Sequence, residues 1–365
     1  MLETLLEREA QWLSGDGPEA DVAVYSFCQL FRNLADFAFP GQCTEDEKRM
    51  IEERILGVLD SLNLLATGQY CSFSDLDPRE QRFLVERRLV RPQLLQAKGA
   101  RGVYIADDQS FSISLNDENH LTFAGLASGL QLQEVWSRMS LIDDTLAGSL
   151  DYAFNERLGY LTTEIGHVGT GLHASVILHL PGLHLTNLIL HLTDLISTAT
   201  NTAREKRHTL ETLIDPKANV PSDVRESNGA ALGDLYKLTN GSTLGRSEEE
   251  TLFHLKHLAT ELIREERESR KQIMSEAPLQ IEDRVGRALG LARGARLLAF
   301  HEANSVLSSL RLGVSSGLLE PFSLHQINDV LISSQDAHIE MKRGHECDEL
   351  TLSAERADLF RSRFA

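Results

Sequence analysis

Three short segments concentrate the residue types that could do chemistry. They are Asn-Asp-Glu-Asn-His at 116–120, a histidine- and glycine-rich stretch at 163–175, and Val-Arg-Glu-Ser-Asn-Gly at 224–229. In the first segment, Glu118 follows a predicted strand, where a carboxylate serves either as a general base or as the anchor of a cationic substrate. A solvated acid in a hairpin turn is the commoner role for such a residue. Both roles stay open on the residues alone.

The second segment allows two kinds of binding site. Its turn Gly-His-Val-Gly-Thr-Gly at 166–171 could hold phosphate through backbone N–H groups, although most glycine turns serve geometry alone. Glu164 and His167 have the ExxH spacing of a metal site, and His173 follows them. Such pairs normally lie on a helix with partner ligands from other helices, whereas this pair lies in a glycine-rich turn. We therefore predict no metal site.

The elements that must position these segments form an α+β pattern. Alternating apolar residues between 102 and 123 predict neighbouring strands. Ser247 and Glu250 have the spacing of a capping box at the start of a charged helix. Charge, proline and glycine at 205–229 predict a mobile loop over a site. Helical spacing predicts helices at 44–65, 130–150, 180–196 and 247–274.

A change of pattern near residue 275 predicts two domains. The first covers 1–275, with 1–65 as a helical N-terminal part, and the second covers 276–365 and is wholly helical. Within it, Gly286, Gly290 and Gly294 have a spacing that lets another helix approach closely. This ridge serves either dimerisation or packing within the domain.

Composition and charge exclude several classes of protein. The 365 residues are 42% hydrophobic, which is enough for a sizeable core. With 54 acidic residues against 36 Lys and Arg, the formal net charge of −18 disfavours nucleic-acid and anionic-membrane partners. No membrane span or signal peptide is visible, so we expect a cytoplasmic protein. The four cysteines are widely spaced, which predicts reduced thiols.

Several ordered blocks resemble the ATP:guanidino phosphotransferase family, and most closely its bacterial protein-arginine kinases. The resemblance covers about residues 18–363. Its most specific stretch, at 150–175, is LDYAFNERLGYLTT followed by VGTG-x-x-AS. Supporting blocks are FAFPG (37–41), ERRLV (86–90), NDENHL (116–121) and ALGDLYKLTNGSTLGRSEEE (231–250). The resemblance implies an antiparallel sheet flanked by helices, plus a helical C-terminal domain used for dimerisation.

The resemblance also implies a reaction in which the γ-phosphoryl group of ATP moves to a guanidinium nitrogen. Arginines bind the triphosphate, because their rigid forks pair with phosphate oxygens and stay charged. Glu118 matches the acid that contacts the guanidinium. The matches to the nucleotide site are Arg32, the Gly169-Thr170-Gly171 turn and Arg225.

This chain departs from the family pattern at four phosphate-binding arginines. Phe27, Gln29, Thr122 and His173 stand at those positions, and Glu164 stands at the reactive cysteine. Losing four charge-assisted contacts at about 1.5–3 kcal/mol each removes roughly 6–12 kcal/mol of binding before any non-additivity. We therefore expect a catalytically impaired protein, a pseudokinase with a regulatory, scaffold or phosphoarginine-binding role, and no cofactor. The alternative is an active protein-arginine kinase that uses Mg-ATP in a remodelled nucleotide site.

The resemblance further implies a phosphoarginine pocket near the C-terminus. Asp358 and Arg361 match parts of its motif and lie at i and i+3, so the acid could hold a guanidinium and the arginine its phosphate. A surface ion pair on a terminal helix is the other interpretation. The partners we expect are a second copy, an active homologue, or proteins that carry phosphoarginine.

Overall fold

One large antiparallel sheet organises the first two thirds of the chain. The structure is a computed structural model that describes residues 2–186, 188, 208–212, 232–241 and 243–365. In the described residues the sheet has eight strands in the order β2-β3-β4-β5-β1-β8-β10-β9, and β6 and β7 form a separate hairpin. The strands are β1 (Ala23–Arg32), β2 (Gly68–Ser72), β3 (Gly102–Ala106), β4 (Phe111–Leu115), β5 (Leu121–Ser128), β6 (Phe154–Asn155), β7 (Gly159–Tyr160), β8 (Leu172–His179), β9 (His208–Thr212) and β10 (Leu235–Asn240).

Helices pack against both faces of the sheet and form the C-terminal region. Residues of α2, α5 and α7 pack with strand residues in the main hydrophobic core. Helices α8, α9, α10 and α12 enclose a core of their own around Leu310 and Phe360. The helices are α1 (Glu3–Glu7), α2 (Glu45–Ser61), α3 (Pro78–Glu86), α4 (Pro92–Gln96), α5 (Leu132–Ala147), α6 (Pro181–Leu185), α7 (Glu248–Glu276), α8 (Pro278–Gly294), α9 (Phe300–Ser315), α10 (Leu324–Ser333), α11 (Asp336–Arg343) and α12 (Glu349–Arg363).

Local sequence signals explain where the long helices begin. The Ser247 hydroxyl accepts from the Glu250 N–H at 3.2 Å, and the Glu250 carboxylate accepts from the Ser247 N–H at 3.2 Å. This confirms the predicted capping box of α7. The helices predicted at 44–65 and 130–150 are confirmed as α2 and α5, and the predicted strands between 102 and 123 as β3, β4 and the start of β5.

Two predictions about secondary structure need correction, and a third is tested only in part. The region 1–65 is not wholly helical, because it contains β1, the strand that joins the two halves of the sheet. Since β1 is buried on both faces, it lacks the alternation that marks a half-exposed strand. In the predicted loop at 205–229, residues 208–212 form β9 and the rest lies outside the described residues. Within the helix predicted at 180–196, residues Pro181–Leu185 form α6. Residues 187 and 189–196 lie outside the described residues.

The glycine ridge of α8 is open in this structure. A Cβ atom built on Gly286, Gly290 or Gly294 would meet no atom within 4 Å. The ridge therefore does not pack within the domain among the described residues, contrary to one of the two predicted roles. No helix in the described part of the chain is both long and apolar enough to cross a membrane.

Candidate active site

The four positions where the resemblance implies phosphate-binding arginines lie together on one face of the sheet. Phe27 and Gln29 are two residues apart on β1, so their side chains point to the same side. His173 on β8 lies opposite Gln29, and Thr122 on β5 lies opposite Phe31, the next residue of this face. We call the surface lined by these five residues the site face.

Glu118 lies in the tight loop between β4 and β5, beside the site face. Asp117 fixes this loop by accepting hydrogen bonds from the Asn119 N–H at 2.8 Å and the Thr122 hydroxyl at 2.9 Å. Asn33, which follows β1, accepts from the His120 N–H at 2.9 Å. The substituted residue Thr122 therefore has a structural task, which is to hold the loop that presents Glu118.

Arg91, which the sequence analysis did not select, contacts Glu118. Its Nη2 atom lies 3.1 Å from Oε2 of Glu118, in an ion pair that lacks the alignment of a good hydrogen bond. Its guanidinium lies 4.9 Å from the centre of the Phe31 ring. The acid matched to the substrate guanidinium is thus occupied by a guanidinium of the chain itself. The available sequence signal was its position, directly after the ERRLV block at 86–90.

The surroundings of Glu118 raise its pKa. Burial raises the pKa of Glu118, Arg91 opposes this rise, and Glu164 adds to it through like charge and a hydrogen bond. The negative charge of Glu164 raises the pKa of Glu118 because it disfavours a second charge of the same sign nearby. The centre of the site is therefore two carboxyls and one guanidinium, a set suited to binding a cation.

The two histidines of the site add no positive charge at neutral pH. The His167 ring stacks on Phe31 with centroids 4.3 Å apart, and its Nδ1 lies 3.3 Å from Oε2 of Glu164. Burial lowers the pKa of His167, and burial together with nearby cations lowers the pKa of His173 well below its ordinary value. His173 therefore replaces the implied arginine with a neutral ring.

Lys237 is a second cation beside the site face that the sequence analysis missed. Its Nζ atom lies 3.5 Å from Nε2 of His173, which also lies 3.1 Å from the Thr239 hydroxyl. Lys237 and Thr239 both lie on β10, two positions apart. They lie within the block 231–250 that carried the resemblance, so the strand could have been searched for cations.

Arg32 lies on the opposite face of β1 and is bound within the protein. It donates to Oδ2 of Asp143 from Nε at 3.1 Å and from Nη2 at 2.8 Å, and to the Thr170 carbonyl at 2.9 Å. Its guanidinium also lies 3.4 Å from the centre of the Tyr160 ring. A role in nucleotide binding stays a prediction, but Arg32 visibly fixes the glycine turn to the sheet.

The glycine turn at 169–171 uses its backbone internally. The Gly169 N–H donates to the Tyr160 carbonyl at 3.2 Å, and the Thr170 N–H donates to the Thr243 carbonyl at 2.9 Å. Gly169 has φ +121°, and a Cβ there would lie 2.2 Å from the Thr243 oxygen. The glycine is therefore needed for close approach of two backbones, and these two N–H groups are not available to phosphate.

The other predicted site residues lie elsewhere. Arg225 lies outside the described residues. Asp358 and Arg361 are ion-paired with each other on α12, and Arg361 also donates to the Ala295 carbonyl. Glu164 and His167 approach each other, but no group of three potential metal ligands occurs in the part of the chain that the structure describes.

Comparison with known proteins gives matches along the whole chain. A family model described as ATP:guanido phosphotransferase, C-terminal catalytic domain, matches residues 50–214, and one described as Protein-arginine kinase McsB C-terminal domain matches residues 278–365. A protein-arginine kinase of Symbiobacterium thermophilum is 35% identical, with 100% of this chain and 99% of the relative covered. The chain belongs to the ATP:guanido phosphotransferase family. A protein-arginine kinase of Halothermothrix orenii is 31% identical over 97% of this chain and 96% of its own length.

Two solved kinase structures share the fold of this chain. A lombricine kinase superimposes with a TM-score of 0.56 at 21% identity, covering 70% of this chain and 68% of that one. The duplicated taurocyamine kinase of Schistosoma mansoni gives 0.57 at 18% identity, covering 77% of this chain and 38% of that one. The predicted fold, an antiparallel sheet flanked by helices with a helical C-terminal region, is confirmed.

Proposed function

We propose that this chain is an ATP-dependent protein-arginine kinase with a remodelled nucleotide site. Relatives of that name match it over nearly its whole length at 31–35% identity, through both the sheet domain and the C-terminal helices. The structural observation that carries the proposal is the contact of Glu118 with a guanidinium. The sequence alone led us to expect an impaired protein first and an active kinase as the alternative. The similarity over both regions of the chain favours the active kinase.

Glu118 suits the guanidinium side of the reaction. A carboxylate and a guanidinium form short, charge-assisted hydrogen bonds, so Glu118 would hold an arginine side chain of a protein substrate in place of Arg91. In the transfer, a guanidinium nitrogen forms the new N–P bond, the bond from the γ-phosphorus to ADP breaks, and one N–H proton leaves. The raised pKa of Glu118 favours it as the proton acceptor, since a base works best with a pKa nearer the working pH.

The phosphate side of the site is weaker. Arg91 and Lys237 bring two cations to the site face, where the resemblance implies four arginines. The magnesium ion that accompanies the substrate ATP would supply further positive charge. We expect weak ATP binding, because Phe27, Gln29 and Thr122 carry no positive charge that could pair with a triphosphate.

A second candidate function is that of an impaired, regulatory member of the family. The specific observation in its favour is that the chain's own Arg91 holds Glu118, on a face whose four matched positions are not cationic. Such a protein would bind proteins that carry phosphoarginine, or an active homologue, without transferring phosphate. Binding of phosphoarginine by Asp358 and Arg361 would first require their mutual ion pair to open.

Self-association is part of either proposal. The open ridge of Gly286, Gly290 and Gly294 leaves room for a helix of a second copy or of an active homologue. We expect light scattering at micromolar concentration to give a dimer, and Gly290→Leu to shift it toward monomer. A strict monomer for the unaltered protein would exclude the homodimer.

The decisive experiment is the detection of phosphoarginine on a protein substrate incubated with the full chain and Mg-ATP. We expect phosphoarginine by mass spectrometry with the unaltered protein and with Glu134→Gln, an exposed acid of α5 that serves as the control. Glu118→Gln should abolish it. Absence of phosphoarginine from all three reactions, with thermal shift showing no ATP binding, would reject the kinase and favour the regulatory function.

A further inference from the structure

A polar cavity separate from the site face lies between the two regions of the chain. It has a volume of about 220 Å³ and is lined by the N-terminal segment, the end of α3, and helices α10, α11 and α12. None of its lining residues belongs to the site face. We propose that this cavity binds a small phosphate-type anion, independently of the kinase-like site.

The walls of the cavity are held by hydrogen bonds. Arg87, at the end of α3, donates to the Arg8 carbonyl at 3.2 Å and to Oε1 of Gln109 at 2.7 Å. On the opposite wall, Asn328 of α10 donates to the Leu13 carbonyl at 3.2 Å. The N-terminal segment is therefore fixed against both regions, and the cavity is a built part of the fold.

Two buried polar groups of the cavity have no protein partner. His338 of α11 is 1% exposed, and its Nδ1 lies 2.7 Å from Oε2 of Glu86, while its Nε2 has no hydrogen-bond partner. The hydroxyl of Ser333, a residue 7% exposed at the end of α10, also lacks one. Buried polar atoms are normally satisfied, so these two indicate something that the protein itself does not provide.

The charged side chains of the cavity also favour a bound anion. Arg87 is 6% exposed, and neither it nor Lys342 at the mouth has a carboxylate within 4 Å among the described residues. Asp329, whose charge acts on both cations, is already paired with Arg363 at 2.9 Å, and Glu7 and Glu9 are further acids of the cavity lining. Burial lowers the pKa of Arg87 to about 10, as expected for a guanidinium without a counter-ion. An unpaired buried cation is costly, and a bound anion removes that cost.

The donors favour a tetrahedral oxyanion over a carboxylate. A planar carboxylate satisfies the guanidinium fork and leaves Ser333 and His338 without partners. A phosphate can accept from Arg87, Lys342 and Ser333, and its remaining proton can be donated to Nε2 of His338. The same chemistry is offered by inorganic phosphate and by the phosphoryl group of a small monoester.

Calorimetric titration of the full chain tests this site. At constant ionic strength we expect saturable binding of inorganic phosphate but not of acetate. Ser333→Ala and Lys342→Gln should each weaken it about tenfold, the range for one charge-assisted contact. Lys271→Gln, at an exposed lysine of α7, and Lys237→Gln, at the site face, should leave it unchanged. These variants avoid Arg87, whose loss would also release the N-terminal segment.

Three results would overturn the proposal. They are equal heats for phosphate and acetate, unchanged phosphate binding in both Ser333→Ala and Lys342→Gln, and loss of binding in Lys237→Gln. A parallel titration with phenyl phosphate distinguishes the sources. Binding as tight as that of inorganic phosphate assigns the cavity to monoesters, and absence of binding assigns it to the free ion.

Discussion

Two arginine–carboxylate pairs lie on opposite sides of β1, and they differ in how firmly they are held. Arg32 and Asp143 are 2% and 7% exposed, and Arg32 also bonds to the Thr170 carbonyl. Arg91 and Glu118 are 12% and 32% exposed and meet in a single contact at 3.1 Å. The first pair is a fixed part of the fold, whereas the second can be displaced by another guanidinium.

Arg32 also differs in its contacts from the residues of the site face. Arg32 holds the glycine turn to the sheet, so its loss would damage the fold whatever the activity. Phe27, Gln29 and His173 lie on the site face, where a change of charge alters ligand binding while the strands stay paired. The contacts of Arg32 therefore give it a structural task whatever the activity of the protein.

The largest expected effect is the loss of stability when the Arg32–Asp143 pair is broken. Arg32→Met should lower the free energy of unfolding by about 3–5 kcal/mol, because it leaves the buried Asp143 without its partner. Urea denaturation would measure this change. Arg264→Met, an exposed arginine of α7, is the control and should change stability little. A loss as small as that of the control would mean that the Arg32 pair is not structural.

A smaller effect is expected at the second pair. Arg91→Ala should change the free energy of unfolding by about 1 kcal/mol or less, since a partly exposed single contact contributes little. The same denaturation experiment measures it. A destabilisation as large as that of Arg32→Met would show that Arg91 is a structural residue and would remove the contrast between the pairs.

The smallest expected effect is a shift in pH dependence. A protonated Glu118 is neutral and cannot pair with a substrate guanidinium, so binding should increase as pH rises through the pKa of Glu118. Burial and Glu164 place that pKa above 4.5, the ordinary value. Arg91→Ala removes the group that lowers it, so the midpoint should move to higher pH. An unchanged midpoint in titrations of an arginine peptide would contradict this role of Arg91.

Sequence was most informative where structure depends on local patterns or on a long resemblance. The cap at Ser247 and the register of Glu118 beside β5 follow from short motifs. The strand β1 was missed because burial on both faces removes periodicity. Arg91 was missed because the turn before α4 brings it to Glu118, a contact that depends on how distant segments pack.

The charges of the site were equally hard to foresee. Nothing in the sequence around Lys237 marks it as a site residue. It lies beside His173 only because β10 pairs with β8 in the folded sheet. The neutrality of His173 depends on burial, which the sequence does not specify. Counting the positions without arginine therefore omitted two cations that the fold brings to the site face.

In the function proposed for this chain, Glu118 receives a substrate guanidinium in place of Arg91. The most direct test is calorimetric titration of an arginine-containing peptide into the unaltered protein, Arg91→Ala and Glu118→Gln. We predict tighter binding by about fivefold or more in Arg91→Ala, because a competing internal group lowers apparent affinity, and no binding in Glu118→Gln. Peptide binding of equal strength in all three proteins would contradict the claim.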